Sequence, residues 1–351
     1  MRRGILAGGF LAAFLSMSPL WAEPLDSTTW LKGDYIGVGA IDVPRLAHRR
    51  IYTYLMDFFV TDKNVRQAFG IIRDAGIRFE DVLTRIVVGI PSDIQNAEHV
   101  ILWETNEELS KYRTILAAYG DRIDKRMYQG MEYYATKREN ECLAILDNVL
   151  VLGSELKVLS VIDSYRTQYR GGVSSAVLRQ EILRVDKSRD AWFAFAVDEA
   201  TRERIKGKGL VFDWTSTKEG ILRLWEVPSG NMTLDFSTGL RAHLTFVMDP
   251  ATSVPEATTF GNAALASFGK NIPELQAVAK GFRFVAAERE VLGEIDYSQE
   301  TFDQLIDFTT LLVKEVGKTP ATKPSDTQKS SPGTQGTQHP ASPKPAAPSI
   351  P

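Results

Sequence analysis

Cysteine is nearly absent: Cys142 stands alone in a chain of 351 residues. No intramolecular disulfide can form, so the fold rests on its apolar core even in an oxidising compartment. The thiol lies in the run Cys142-Leu143-Ala144-Ile145-Leu146, where burial as a small apolar group is expected and a nucleophilic role is not. Histidine is scarce too. His48, His99, His243 and His339 include no pair at i, i+4 spacing, and neither H-E-x-x-H nor paired C-x-x-C occurs, so no metal centre is expected. No EF-hand calcium loop is present either. The chain lacks G-x-S-x-G and a P-loop, and Gly37-x-Gly39 lacks the third glycine of a dinucleotide fingerprint. Elbow-type serine hydrolysis and nucleotide chemistry therefore have no support, and no cofactor is expected. Gly171-Gly172-Val173-Ser174-Ser175 reads as a helix stop followed by a fresh N-cap. A formal net charge of −3 gives no field that would draw a polyanion, so nucleic acid is not an expected partner.

What is present begins with an address. Arg2 and Arg3, an apolar run from Ile5 to about Leu20, and Trp21-Ala22 before Glu23-Pro24 form the three zones of a secretory signal, residues 1–22. Leu20 is larger than the residue usual three places before a cut. Retention as an N-terminal anchor is the competing reading, weakened because the run carries Gly8 and Gly9, is bounded by Pro19 and is short of the roughly 20 apolar residues of a spanning helix. The expected location is exported, periplasmic or extracellular, with no transmembrane helix after cleavage. Residues 318–351 are rich in Pro, Ser, Thr, Gln and Lys, a composition unable to bury enough apolar surface to offset its ordering entropy. That tail is expected to be disordered, as a solubilising extension or as a spacer.

Between these ends a grammar recurs. Met232, Leu234 and Phe236 alternate with polar residues, Ser237-Thr238-Gly239 turns, and Leu240, Ala242, Leu244, Phe246 and Met248 alternate again, an antiparallel hairpin with one buried face. A helix to about Gly269 follows, then a second hairpin over Phe282 to Tyr297 and a helix carrying Phe302, Leu305, Ile306, Thr309, Leu312 and Val313. In the first half, Arg85 to Ile90 and His99 to Trp103 read as strands. A helix opens at the Thr105/Glu108 capping box and stops at Gly120. Cys142 to Leu146 and Val149 to Leu152 flank the tight turn Asp147-Asn148, and a helix opens near Ser154. Another helical stretch is expected around Lys63 to Ala75. Each half opens alike, with Tyr35 to Ile41 before Asp42 and Ala191 to Val197 before Asp198: strand, acidic cap, helix.

The expected fold class is thus α+β, as two similar modules, 23–172 and 173–317, each mainly antiparallel sheet with helices on one face (strand-helix, hairpin-helix, hairpin-helix). Tandem duplication and convergence on common α+β grammar both produce this pattern. The plan resembles that of uncharacterised secreted bacterial proteins with tandem hairpin-helix (ββα) modules, over nearly all of the mature chain, and the resemblance brings no catalytic residue with it.

Arg45, Arg49 and Arg50, with His48, Tyr52 and Tyr54, form the densest basic and aromatic cluster. On a helix Arg45 and Arg49 share a face, where they could hold a carboxylate or phosphate ligand or stand as a solvated surface. Arg166 and Arg170 with Tyr165 and Tyr169 repeat the pattern near a helix C-terminus, where cations suit the dipole. Glu80-Asp81 and Glu107-Glu108 sit at expected helix starts, where capping accounts for them. No catalytic residue stands out. The leading expectation is a non-enzymatic envelope protein that binds another envelope protein or a small ligand. An exported hydrolase or glycan-active enzyme with a carboxylate pair, and a scaffold tethered by a retained signal, are the alternatives.

Overall fold

A computed structural model describes residues 26–54, 79–92, 99–106, 109, 113, 123–136, 141–207, 227–271 and 276–316. The tail, the signal segment, the stretch Lys63 to Ala75 and most of the helix expected after Thr105 lie outside them. The chain divides into two compact units, residues 1–309 and 310–351. Of the second, only 310–316, the end of the last helix, is described.

Among the described residues, twelve strands form one sheet: β1 (Tyr35–Asp42), β2 (Leu83–Pro91), β3 (Val100–Thr105), β4 (Ile123–Tyr128), β5 (Met131–Thr136), β6 (Glu141–Leu146), β7 (Val149–Ser154), β8 (Ala191–Ala196), β9 (Ser229–Asp235), β10 (Gly239–Val247), β11 (Phe282–Ala287) and β12 (Glu290–Ser298). All of its pairings are antiparallel, and its order is β11-β12-β10-β9-β8-β1-β2-β3-β7-β6-β5-β4. Outward from the central pair β1–β8, it runs β1-β2-β3-β7-β6-β5-β4 on one side and β8-β9-β10-β12-β11 on the other. The helices are α1 (Val43–Leu46), α2 (Phe79–Val82), α3 (Glu155–Arg166), α4 (Ala176–Arg184), α5 (Glu199–Gly207), α6 (Val254–Asn271), α7 (Gln276–Lys280) and α8 (Gln299–Val316), and a 3-10 turn, η1, covers Ser27–Trp30.

Most elements form where the local chemistry places them. Asp42 caps α1 by accepting from the Arg45 N–H at 3.2 Å, Asp198 accepts from the Thr201 N–H at 2.7 Å, and Ser175 accepts from the Leu178 N–H at 3.2 Å to open α4, satisfying donors that helix starts leave open. The hairpin β4–β5 is an addition to the expected plan. Its turn holds Gln129 at φ 46° and Gly130 at φ 81°, a left-handed pair that glycine eases.

The expectation of helices on one face is corrected. Successive residues of the first-half strands enter different cores. Val87, Leu102, Ala144, Leu146 and Val151 pack with Val158, Val161 and Ile162 of α3 and Leu178 of α4. Ile86, Trp103, Ile145 and Leu150 pack on the opposite face with Val43 and Val82. Both faces are covered because β6 and β7 are apolar almost throughout, the signature of a doubly buried strand. In the second half, Val291, Phe284 and Met248 meet Val254 and Leu265 of α6, and Tyr297 meets Phe302 and Ile306 of α8. The other face of β10, β12 and β11 carries the exposed Arg241, His243, Arg283 and Asp296 and the half-buried Glu294. Register places Arg241 opposite Asp296, and His243 and Arg283 opposite Glu294, so opposite signs meet across strands. Helix α4 marks the border. Its buried Glu181 accepts from Ser229 Oγ at 3.1 Å and Asn231 Nδ2 at 2.7 Å, and Arg184 reaches Glu290 at 2.5 Å.

Candidate functional site

Strand β3 is apolar until Glu104, whose carboxylate turns to the face covered by α3 and α4 and is 6% exposed. A charge so placed needs donors, since desolvation otherwise costs several kcal/mol. Two come from one residue. Ser27 donates to Glu104 Oε1 from its backbone N–H at 3.0 Å and from its hydroxyl at 2.6 Å. Arg85, which faces Glu104 across the β2–β3 ladder, brings Nη1 to 4.0 Å from the same oxygen and 3.5 Å from Asp26 Oδ1. Lys187, on the loop before β8, closes the cluster on Asp26 Oδ2 at 2.9 Å. The Arg85 guanidinium and the Lys187 ammonium stand 6.0 and 5.5 Å from the centre of the buried Trp192 ring, within cation–π range.

The two carboxylates are driven apart. Burial lifts the Glu104 carboxyl above the usual range, and the Ser27 bonds and the Arg85 charge offset this only in part. Burial works in the same direction on Asp26, but the bond from Thr28, the bond and charge of Lys187 and the charge of Arg85 together hold it below the usual range. A protonatable acid beside an ionised one is the asymmetry that acid–base pairs require. Here, however, the acid is roofed by η1, with Trp30 and Leu31 of the same segment buried in the core.

The three arginines singled out in the sequence stand at the same rim of the sheet, just past the end of β1, where Asp42 faces Arg85, and they diverge. Arg45 Nε lies 3.3 Å from Asp42 and Nη1 lies 3.9 Å from Asp190, with a bond to the Ser188 carbonyl. Arg49 donates to the Ser237 carbonyl at 2.8 Å. Arg50 pairs with Asp307 and lies 3.9 Å from Asp303, both on α8. Each arginine thus fastens the first-half segment to a different second-half segment. Arg166 bonds Gln129 in the β4–β5 turn, and Arg170 stacks 5.8 Å from the centre of the Trp30 ring.

Cys142 is buried, and its thiol is pushed up to about 12 by that burial, so it stays protonated and apolar in character. Among the described residues no group of three or more His, Cys, Asp or Glu is placed to hold a metal ion. No helix among them is long and apolar enough to cross a membrane.

Sequence reasoning missed Glu104, Asp26, Arg85 and Lys187. One signal was readable: an acid ending the apolar run Val100-Ile101-Leu102-Trp103 must find a donor. Its donor, Ser27, is 77 residues away, and nothing local points to it.

The chain matches no family model. No curated protein matches it either. Solved structures similar to it include three crystal forms of TP0453. Form III gives a TM-score of 0.49 at 8% identity over 81% of this chain and 98% of that one. Form I gives 0.46 at 10% over 83% and 99%, and form IV gives 0.47 at 9% over 83% and 98%.

Proposed function

We propose that this chain is an exported, non-enzymatic interaction protein of the cell envelope, built from two related modules joined through β1 and β8. The observation that carries the functional part is the occupation of its polar clusters by its own chain. Glu104 is held by Ser27, Glu181 by Ser229 and Asn231, and Arg45, Arg49 and Arg50 each by an acceptor in the second half. Groups so engaged fix the geometry of a scaffold and leave little reactive chemistry to offer. The outward strand order from the central pair supports the module reading, with β4–β5 as an insertion in the first module. Affinity capture from envelope extracts, with and without residues 318–351, tests the function. A reproducible partner is the expected outcome, and the absence of one in both preparations overturns it. N-terminal sequencing of the secreted chain tests the cut after Ala22.

One observation favours a second reading, an exported hydrolase: Glu104 raised and Asp26 lowered beside a shared arginine. Turnover of a glycan or ester substrate that disappears in both Glu104→Gln and Asp26→Asn would establish it over the first.

A further inference from the structure

Among the described residues the sheet is open, with two edge strands, β4 and β11, and an edge is a row of backbone donors and acceptors on which another chain can build. The two edges differ. Strand β4 carries Asp124, Lys125 and Arg126 in succession, all exposed. A second copy pairing antiparallel about Arg126 sets Arg126 against Arg126, and one pairing about the Lys125–Arg126 midpoint sets Lys125 against Arg126 twice, repulsions between directly opposed like charges; the register centred on Lys125 opposes Lys125 to itself and is eased by two Asp124–Arg126 pairs. Strand β11, Phe282-Arg283-Phe284-Val285-Ala286-Ala287, has no such protection. A second copy centred on Phe284 sets Phe284 against Phe284, Arg283 against Val285 and Phe282 against Ala286, with no like charges opposed. By side chains alone this edge suits its own copy.

Its backbone is not free, however. Asn262 on α6 donates from Nδ2 to the Phe284 carbonyl at 2.9 Å, and its Oδ1 accepts from the Phe284 N–H at 2.8 Å. One side-chain amide satisfies both groups of one residue, which is what a neighbouring strand does. Those groups point away from β12, so Phe284 and Gly293 form a non-hydrogen-bonded pair of the β11–β12 ladder, and by alternation the groups of Phe282 and Ala286 also point outward. Helix α6 approaches this closely because residue 261 is glycine: a Cβ there would stand 2.7 Å from the Phe284 ring. The geometry points to Asn262 as a plug that occupies the centre of the β11 edge and denies it to a second copy of this chain. Without the plug, β11 pairs with β11 of a second copy about a two-fold axis and joins two sheets into one. Growth stops there, because the charged β4 edge does not continue it.

The test is sedimentation velocity across a wide range of concentration on the purified chain and on Asn262→Ala, which removes both the amide and the side chain that occupies the edge. The expected result is a concentration-dependent species of twice the wild-type mass in Asn262→Ala only. It should be lost again in Asn262→Ala/Ala286→Pro, since proline at 286 removes an outward N–H without touching the β12 ladder. A variant with native circular dichroism and wild-type sedimentation overturns the proposal, as does one that takes up an added extended peptide in place of its own copy. Should Asn262→Ala fail to fold, amide exchange on the wild type decides. A Phe284 amide protected more strongly than that of Ala286 supports the plug, and equal exchange refutes it.

Discussion

The hairpins β6–β7 and β11–β12 each precede a long helix, yet the first is sealed on both faces and the second on one. In β6 and β7 adjacent residues such as Leu143, Ala144, Ile145 and Leu146 are all buried. In β12, Val291, Gly293 and Tyr297 are buried while Asp296 between them is exposed. The difference is written in composition: a continuous apolar run demands two covers, and strict alternation demands one. Helix α4 ends the second cover over β9 with the Glu181 cluster, and beyond it cross-strand ion pairs such as Arg283 Nε to Glu294 at 2.6 Å face solvent. Stability should therefore be concentrated in the first half and the seam.

Substitution can break this comparison. Leu146→Ala, at a position with no exposure, is expected to cost about 2–5 kcal/mol. Leu292→Ala, half-buried on the open face, should cost under about 1 kcal/mol by urea unfolding. Equal losses would mean that the second half is covered by something else.

Glu104 ranks next. Removing its carboxylate in Glu104→Ala strands the Ser27 N–H and hydroxyl in the core, an expected loss of about 1–3 kcal/mol. Its pH dependence has a definite sign. Because burial raises the folded carboxyl above its unfolded value, Glu104 contributes its stability when protonated, fully so below the unfolded value, and loses it as pH rises through the raised one. Asp26, lowered, contributes above its unfolded value and loses that as pH falls through the folded one. Glu104→Gln should flatten the decline on the rising side and leave the acid limb of Asp26 in place, as read by unfolding across pH.

Much of this architecture is legible in the residues. The turn at Asp147-Asn148, the caps at Asp42, Asp198 and Ser175, and the alternation of β10 and β12 are local signals, and the structure follows them; in β9 it does not, since the polar Asn231 and Thr233 are buried while Met232 and Leu234 are half-buried. Strand β4 was not legible because Asp124, Lys125 and Arg126 place polar groups on both faces, which erases a period of two. Only the Gln129-Gly130 turn and the β-prone run after it announce that hairpin. The arginine cluster was visible as a patch but not as three separate ties, since its acceptors at Asp190, Ser237 and Asp307 are fixed by tertiary register. The Glu104 cluster is likewise non-local throughout.

Smaller effects sharpen the contrast between the seam and the open face. Arg50→Ala removes a pair whose side chains are 45% and 60% exposed, worth about 0–1 kcal/mol and weakened by salt. Arg283→Ala, on the open face, is expected to stay within about 0.5 kcal/mol.

The claim that the buried acid is a structural tie is tested most directly by a double-mutant cycle of Ser27→Ala and Glu104→Ala, read by chemical unfolding. A coupling of at least about 0.5–1 kcal/mol between the two positions is expected. Strict additivity, with Glu104→Ala as stable as the wild type, would contradict it.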